Sequence, residues 1–352
     1  MLRTLAIVML ASVLGSLTGC AATETVGRAR ADYALASRCM AETAVGQPGS
    51  AAPSTGPEAT PADPAGHAAC VETCGRGIAQ GCFALGRVAL RGDDKRPKEA
   101  LVHFDRACEL GEAAGCVEAA LLVERGVDGP PDPTRGLRYN RIACDRGHPT
   151  GCANLGLAYQ AGEVVPKDEL RASQLYQRGC AGGDAAGCAN LAFLFHYGIG
   201  VTRNDKRARE LYEDACARGH QRACGNLAGL LVAGRGGARD EVRAAKIYRG
   251  LCDEGMLEAC ASLATQHEFG MGVDRDPAEA ERLFTKACDG GIAEACVGLG
   301  RMFEGGLAGG KGVVDLPEAS RLYRRACSAT GEREACDRLE RVNRAIDAQK
   351  RE

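Results

Sequence analysis

The sequence predicts an all-α fold, an α/α solenoid of about seven helical hairpins ending in a capping helix, and three observations carry that prediction. Cys108, Cys144, Cys180, Cys216, Cys252 and Cys288 recur every 36 residues, and Cys116, Cys152, Cys188, Cys224, Cys260 and Cys296 follow at the same period. The stretch Gly151–Cys188 holds two helical patterns separated by a glycine turn, and it closes on a Cys-x7-Cys segment that leads into the next copy. Alanine, leucine and glycine dominate, aromatics make up 4% and tryptophan is absent, as thin, close-packed helices require. A fixed period of about 20 to 50 residues marks a stacked repeat in which no unit buries its apolar face alone. One elongated domain follows, where length alone would allow two.

The segments before the repeats read differently. Met1-Leu2-Arg3 and the apolar run Leu5–Leu17 have the form of an export signal, too short to span comfortably as a membrane helix. The run ends in Leu17-Thr18-Gly19-Cys20, which resembles a bacterial lipobox. That resemblance implies a signal peptide of residues 1–19 and a lipid on the Cys20 sulfur. Ala21, rather than Asp, resembles lipoproteins sorted to an outer membrane. Residues 20–40 then form a lipidated tether with a short helical pattern, ADYALASRC. Residues 41–66, rich in Ala, Pro, Gly, Ser and Thr without apolar periodicity, read as a flexible linker. The solenoid is placed at 67–345 and a polar tail at 346–352.

Forty-four basic against 46 acidic residues leave a formal charge of −2, with no basic footprint for nucleic acid. Nineteen cysteines suit disulfides in an exported protein better than thiols in a reducing cytosol.

Full copies start at Gly81, Gly115, Gly151, Gly187, Ala223, Ala259 and Ala295, and an eighth start at Ala335 runs into a charged helix suited to capping the stack. The first helix of a copy opens Gly/Ala-Cys-x-x-Leu and then places a small residue, Gly156, Ala192, Ala228, Ala264 or Gly300, where the second helix approaches. The second helix starts near Asp132-Pro133, Asp276-Pro277, Pro97 or Pro317, with Asp as cap and Pro in the first turn. It carries Ala100, Ala172, Ala208, Ala244, Ala280 or Ala319 and, four residues on, Phe104, Tyr176, Tyr212, Tyr248, Phe284 or Tyr323, which puts both on one face. Gly111, Gly147, Gly183, Gly219, Gly255 and Gly291 end these helices. The second copy departs, with Gly136 and Asn140 at the small and ring positions and Pro130-Pro131 in its loop; the seventh has a longer loop, GGLAGGKGVVDLP.

This pattern resembles the Sel1-like repeat, a relative of the tetratricopeptide repeat, and more narrowly its disulfide-rich secreted bacterial members. The resemblance covers about residues 70–345. It implies a right-handed superhelix whose first helices line a concave binding face. It also raises an alternative, since some cysteine-rich members are described as penicillin-binding or as weak β-lactamases.

Two cysteine pairings suit antiparallel hairpins. Joining the two within a hairpin, as Cys152 with Cys180, orphans Cys74 and Cys336. Joining them across the tight turn, as Cys180 with Cys188, uses all sixteen: Cys74–Cys82, Cys108–Cys116, Cys144–Cys152, Cys180–Cys188, Cys216–Cys224, Cys252–Cys260, Cys288–Cys296 and Cys327–Cys336. Cys39 and Cys70 are left for one another and Cys20 for lipid, which accounts for the odd total. Only Cys70-x3-Cys74 comes near zinc-ligand spacing, so neither metal nor cofactor is expected.

Asn154, Asn190 and Asn226 occupy one position of the first helix in three successive copies. Asparagine is a poor helix former, so an amide ladder for the backbone of an extended peptide is expected, against the plainer reading that each amide satisfies local backbone groups. Phe193 and Tyr197 lie beside Asn190 as an apolar anchor, although aromatics at helical spacing more often belong to a core. His148 and His220 sit at equivalent turn positions, too distant to share a metal when helices stack about 8–10 Å apart. His196 and His267 show no cysteine or carboxylate constellation, and His267-Glu268 lacks the second His of metalloproteases. Gly305…Gly310-Lys311 has Gly312 where a phosphate loop needs Ser or Thr. Neither G-x-S-x-G nor S-x-x-K with K-T-G occurs.

The expected protein is a monomeric, non-enzymatic scaffold, anchored through Cys20 to the outer membrane and facing the periplasm, which binds an envelope protein or peptide. The alternative is β-lactam or peptidoglycan-fragment hydrolysis.

Overall fold

The computed structural model describes residues 31–32, 34–39, 64–91, 95–309, 312–331 and 333–351; residues 1–19, read as a signal peptide, Cys20 and residues 41–63 lie outside them. Among the described residues the chain forms helices and no strand. Where the sequence suggests one elongated domain, the chain divides into two compact units, 1–166 and 167–352. The first holds helices Pro64–Gly75, Ala79–Ala89, Pro97–Glu109, Ala113–Glu124, Pro133–Asp145 and Pro149–Ala161. The second holds Glu169–Ala181, Ala185–Tyr197, Asp205–Ala217, Gln221–Ala233, Glu241–Asp253, Leu257–Phe269, Pro277–Asp289, Ala293–Glu304, Leu316–Thr330 and Arg333–Gln349. Within each unit a helix packs mainly on the one before and the one after it, so each is a stretch of α/α solenoid.

The helix Pro64–Gly75 begins inside the segment read as linker, because a proline in the first helical turn gives up no hydrogen bond. The last helix runs past residue 345. No helix among the described residues is long and apolar enough to cross a membrane.

The turn between copies has a local cause. Gly147 adopts φ +83°, its N–H donates to the Cys144 carbonyl and the His148 N–H donates to the Ala143 carbonyl, both at 2.9 Å. This is a Schellman motif, which satisfies the last carbonyls of one helix and lets the next start at Pro149. The same pair of bonds recurs at Gly111, Gly183, Gly219, Gly255 and Gly291. The tight reversal brings the flanking cysteines together. Bridges Cys74–Cys82, Cys108–Cys116, Cys144–Cys152, Cys180–Cys188, Cys216–Cys224, Cys252–Cys260, Cys288–Cys296 and Cys327–Cys336 staple successive hairpins, with Cα separations of 4.4 Å at Cys144–Cys152 and 4.9 Å at Cys327–Cys336. Cys39–Cys70 ties the short helical stretch ahead of the linker to the first long helix.

The rings form the core of each hairpin. Phe104, Tyr176, Tyr212, Phe284 and Tyr323 are fully buried. The small position of the first helix faces them: a Cβ on Gly86 would lie 2.5 Å from the Phe104 ring, and one on Gly300 2.8 Å from Tyr323. In the second copy a polar cluster replaces the ring. Buried Asn140 donates to Glu124 Oε1 (3.4 Å) and accepts from Asn154 Nδ2 (3.2 Å), and the Glu124 side chain fills the space that a Cβ on Gly136 would take. Partial desolvation there pushes the Glu124 carboxyl above the usual carboxylate range.

Candidate functional site

The position held by Asn154, Asn190 and Asn226 faces the ring position of the preceding copy. Asn154 bonds Asn140, Asn226 bonds the Tyr212 hydroxyl, and Ser262 and Arg338 bond Tyr248 and Tyr323 at the equivalent places. Burial pushes the Tyr212 phenol up to about 12, so the hydroxyl stays protonated and needs a partner that Asn226 supplies. Where the ring is Phe284 there is no hydroxyl to satisfy, and the facing residue is Gly298, whose absent Cβ would stand 2.5 Å from the ring. Asn154 and Asn226 are therefore first of all partners for buried polar groups. This pairing predicts that Asn226→Ala costs about 1–2 kcal/mol, and that adding Tyr212→Phe restores most of it, read as a double-mutant cycle of urea midpoints.

One of the asparagines also borders an open groove. Helices Ala185–Tyr197 and Gln221–Ala233 leave between them a cavity of about 300 Å³, floored by Tyr212 and lined among others by Phe193, Tyr197, Asn226 and Arg235. Phe193 and Tyr197 are one helical turn apart, with ring centroids at 4.5 Å, and they remain 36% and 60% exposed. Phe193, Tyr197 and Phe269 are the exposed aromatics among the described residues, so this pair is an apolar feature that the fold leaves open to solvent. Asn190 lies on the same helix, half-buried and outside the lining. Asn154 belongs to the other unit.

His196 corrects the sequence reading. It does have a carboxylate: its Nδ1 lies 2.6 Å from Asp205 Oδ1, its ring meets Tyr197 edge-on at 4.6 Å, and its Nε2 is 3.5 Å from the Arg235 guanidinium. The loop joining the two helices of a copy folds Asp205 back over His196, a contact across nine positions that helical periodicity does not reveal. A hydrogen bond from Arg203 (2.7 Å), assisted by His196, holds the Asp205 carboxyl below the usual carboxylate range. Arg235 has no carboxylate partner among the described residues, and it brings a positive charge to the groove. Its signal was present in the sequence. Arg235 sits between two left-handed glycines where the neighbouring copies have Ile199 and Met271.

His220 and His267 serve the fold. His220 caps its helix by accepting the Ala223 N–H at Nδ1 (3.1 Å). His267 is buried, and Glu268 beside it is bound by Arg301. Cys180, Cys188 and Asp214 form a potential metal-donor cluster among the described residues, but both sulfurs are in a disulfide and not thiolates.

Comparison with known proteins supports the same architecture. The family model described as Sel1 repeat matches residues 79–112, 113–148, 149–184, 185–220, 257–292 and 293–330, more than half of the chain. The stretch between the fourth and fifth matches is a full hairpin in the structure, Gln221–Ala233 with Glu241–Asp253, and it supplies Asn226 and Arg235 to the groove. Among solved structures the chain is similar to a protective antigen present in uropathogenic Escherichia coli strains that displays an SLR fold, at 26% identity and a TM-score of 0.64. That match covers 74% of this chain and 56% of the antigen, so the chain spans little more than half of that protein. It is also similar to a Sel1 repeat protein from Oxalobacter formigenes, at 21% identity and a TM-score of 0.61, over 70% of this chain and 96% of the other. Cysteine rich protein B of Helicobacter pylori is 34% identical over 37% of this chain and 93% of its own, with a TM-score of 0.31. No curated protein matches the sequence.

Proposed function

Because the chain belongs to the Sel1 repeat family, whose repeats act as scaffolds for protein–protein interaction, we propose that it is a lipid-anchored envelope scaffold holding an extended segment of an extracytoplasmic protein. The observation that carries this reading is the groove itself, where the exposed rings of Phe193 and Tyr197 stand beside the Asn226 amide and the Arg235 cation. Rings supply contact area at low cost in conformational entropy, and an amide that already bonds Tyr212 is held in place to meet a peptide backbone. The nine disulfides among the described residues support an oxidising compartment, and Leu17-Thr18-Gly19-Cys20 supports an anchor in the outer membrane facing the periplasm. Cys20→Ser is expected to move the protein from the membrane fraction to the soluble one.

A photocrosslinking residue placed at Tyr197 tests the groove. It is expected to trap a discrete partner in intact cells, and the yield should fall sharply when Phe193→Ser is added. The same residue at Val242, which is 54% exposed on a second helix away from the groove lining, is the control. Equal trapping at both positions would overturn the reading. Nitrocefin turnover by the oxidised protein tests the alternative, β-lactam hydrolysis.

A further inference from the structure

The groove at Tyr197 has a counterpart two copies further along the same unit. Helices Leu257–Phe269 and Ala293–Glu304 enclose about 250 Å³ floored by Phe284, with Phe269, Arg301, Glu294 and Glu334 in its lining. The positions correspond: Phe269 stands where Tyr197 does, at 57% and 60% exposure, and Phe284 where Tyr212 does. Ala233 occupies the intervening copy at that position, so no ring stands between the two.

Their charges are opposite. The first groove carries Arg235, and the nearby Asp205 is already held by Arg203 and His196. In the second, Arg301 is neutralised by a bidentate pair with Glu268, which is 3% exposed (2.9 and 2.5 Å), and its guanidinium lies 5.3 Å from the centre of the Phe269 ring. What remains is negative. Glu334 shares Arg338 at 3.0 Å, and exposed Glu294 has no ion-pair partner among the described residues.

We infer that the two grooves are the ends of one binding surface for a single extended polypeptide segment, with an acidic side chain next to an apolar one at the Tyr197 end and a basic side chain next to an apolar one at the Phe269 end. This deepens the proposed scaffold function and rests on it. First helices of successive copies lie roughly 10 Å apart, so the two ends are about 20 Å apart, the span of about six extended residues. Complementary charge selects the partner, and a like charge in either groove rejects the wrong one.

The test uses the full oxidised chain and three fluorescein-labelled peptides of equal length. Each has two aromatic residues about six positions apart, flanked by one acid and one Lys, by two acids, or by two Lys. Fluorescence anisotropy is expected to show the mixed peptide binding at least ~10-fold more tightly than either uniform one. Arg235→Glu should shift preference to the two-Lys peptide, and Glu294→Lys to the two-acid peptide. Arg235→Gln and Glu294→Gln, which remove the charge and leave a polar side chain, should each abolish the discrimination at their own end. Equal binding of all three peptides by every variant would overturn the charge assignment and leave the groove reading intact. Failure of all three peptides, with crosslinking at Tyr197 preserved, would overturn the extended-segment inference alone. Failure of both would remove the scaffold reading as well.

Discussion

Full reduction in native buffer should abolish most of the cooperative melting transition, followed as helical circular dichroism on heating. Each turn bridge closes a loop of about nine residues, worth roughly 2.5 kcal/mol in the chain-entropy account. Eight such bridges, with Cys39–Cys70 added, stand against a net stability of about 5–15 kcal/mol for an ordinary domain. The hairpins have little else to hold them. Alanine is the commonest buried residue among the described ones, tryptophan is absent and each hairpin has one fully buried ring or fewer. In a repeat stack each unit leans only on its neighbours, so loosening one turn lowers the stability of the next. The bridges should also open in order. Both cysteines of Cys216–Cys224 and of Cys327–Cys336 are partly exposed, whereas Cys108–Cys116 and Cys252–Cys260 are buried. Thiolate attack requires access, so limiting dithiothreitol followed by alkylation and peptide mass mapping should label the first two pairs earliest. An unchanged melt in excess reductant would refute the claim that the staples hold the stack.

Gly236→Ala should be among the most damaging single methyls in the second unit, lowering stability by about 3 kcal/mol or more. Gly236 has φ +72°, where an alanine is strained by about 1–2 kcal/mol. Its Cβ would also lie 2.2 Å from the Asp205 carbonyl oxygen, a backbone atom that cannot swing aside. Gly200 and Gly272 repeat the arrangement at 2.5 Å from the Glu169 backbone and 2.2 Å from that of Glu241. These glycines seat each inter-helix loop on the amino end of the preceding copy's second helix. Because Arg235 is the preceding residue, the substitution should also cost peptide binding. Gly250→Ala is the control: it is helical, nothing lies within 4 Å of its Cβ, and it should stabilise by up to ~1 kcal/mol. Equal melting temperatures for the two variants would show that the loop contact carries no stability.

Local signals explain why the repeat was so legible. The ring four residues after Ala172 or Ala208, the C′ glycines and the Asp caps act within one or two helical turns, so they can be read from spacing. Asp168, Asn204, Asp240 and Asp315 each cap a second helix through the same N3 backbone bond. The candidate site was legible only in part. Phe193, Tyr197 and Asn226 stood out as residue types, but Arg235 and Asp205 acquire their roles from a loop that returns over the first helix. The asparagine stripe had a partner that periodicity hides, because Tyr212 belongs to the preceding copy.

By itself the sequence determined the hairpin, its period and the order in which cysteines meet, because each depends on contacts between residues close along the chain. The tertiary structure decided that two grooves stay open, that one is positive and the other negative, and that Asn226 answers a buried phenol before it answers any ligand. Those properties arise where helices of different copies approach, and there burial, a missing Cβ or one charged partner determines which groups remain free.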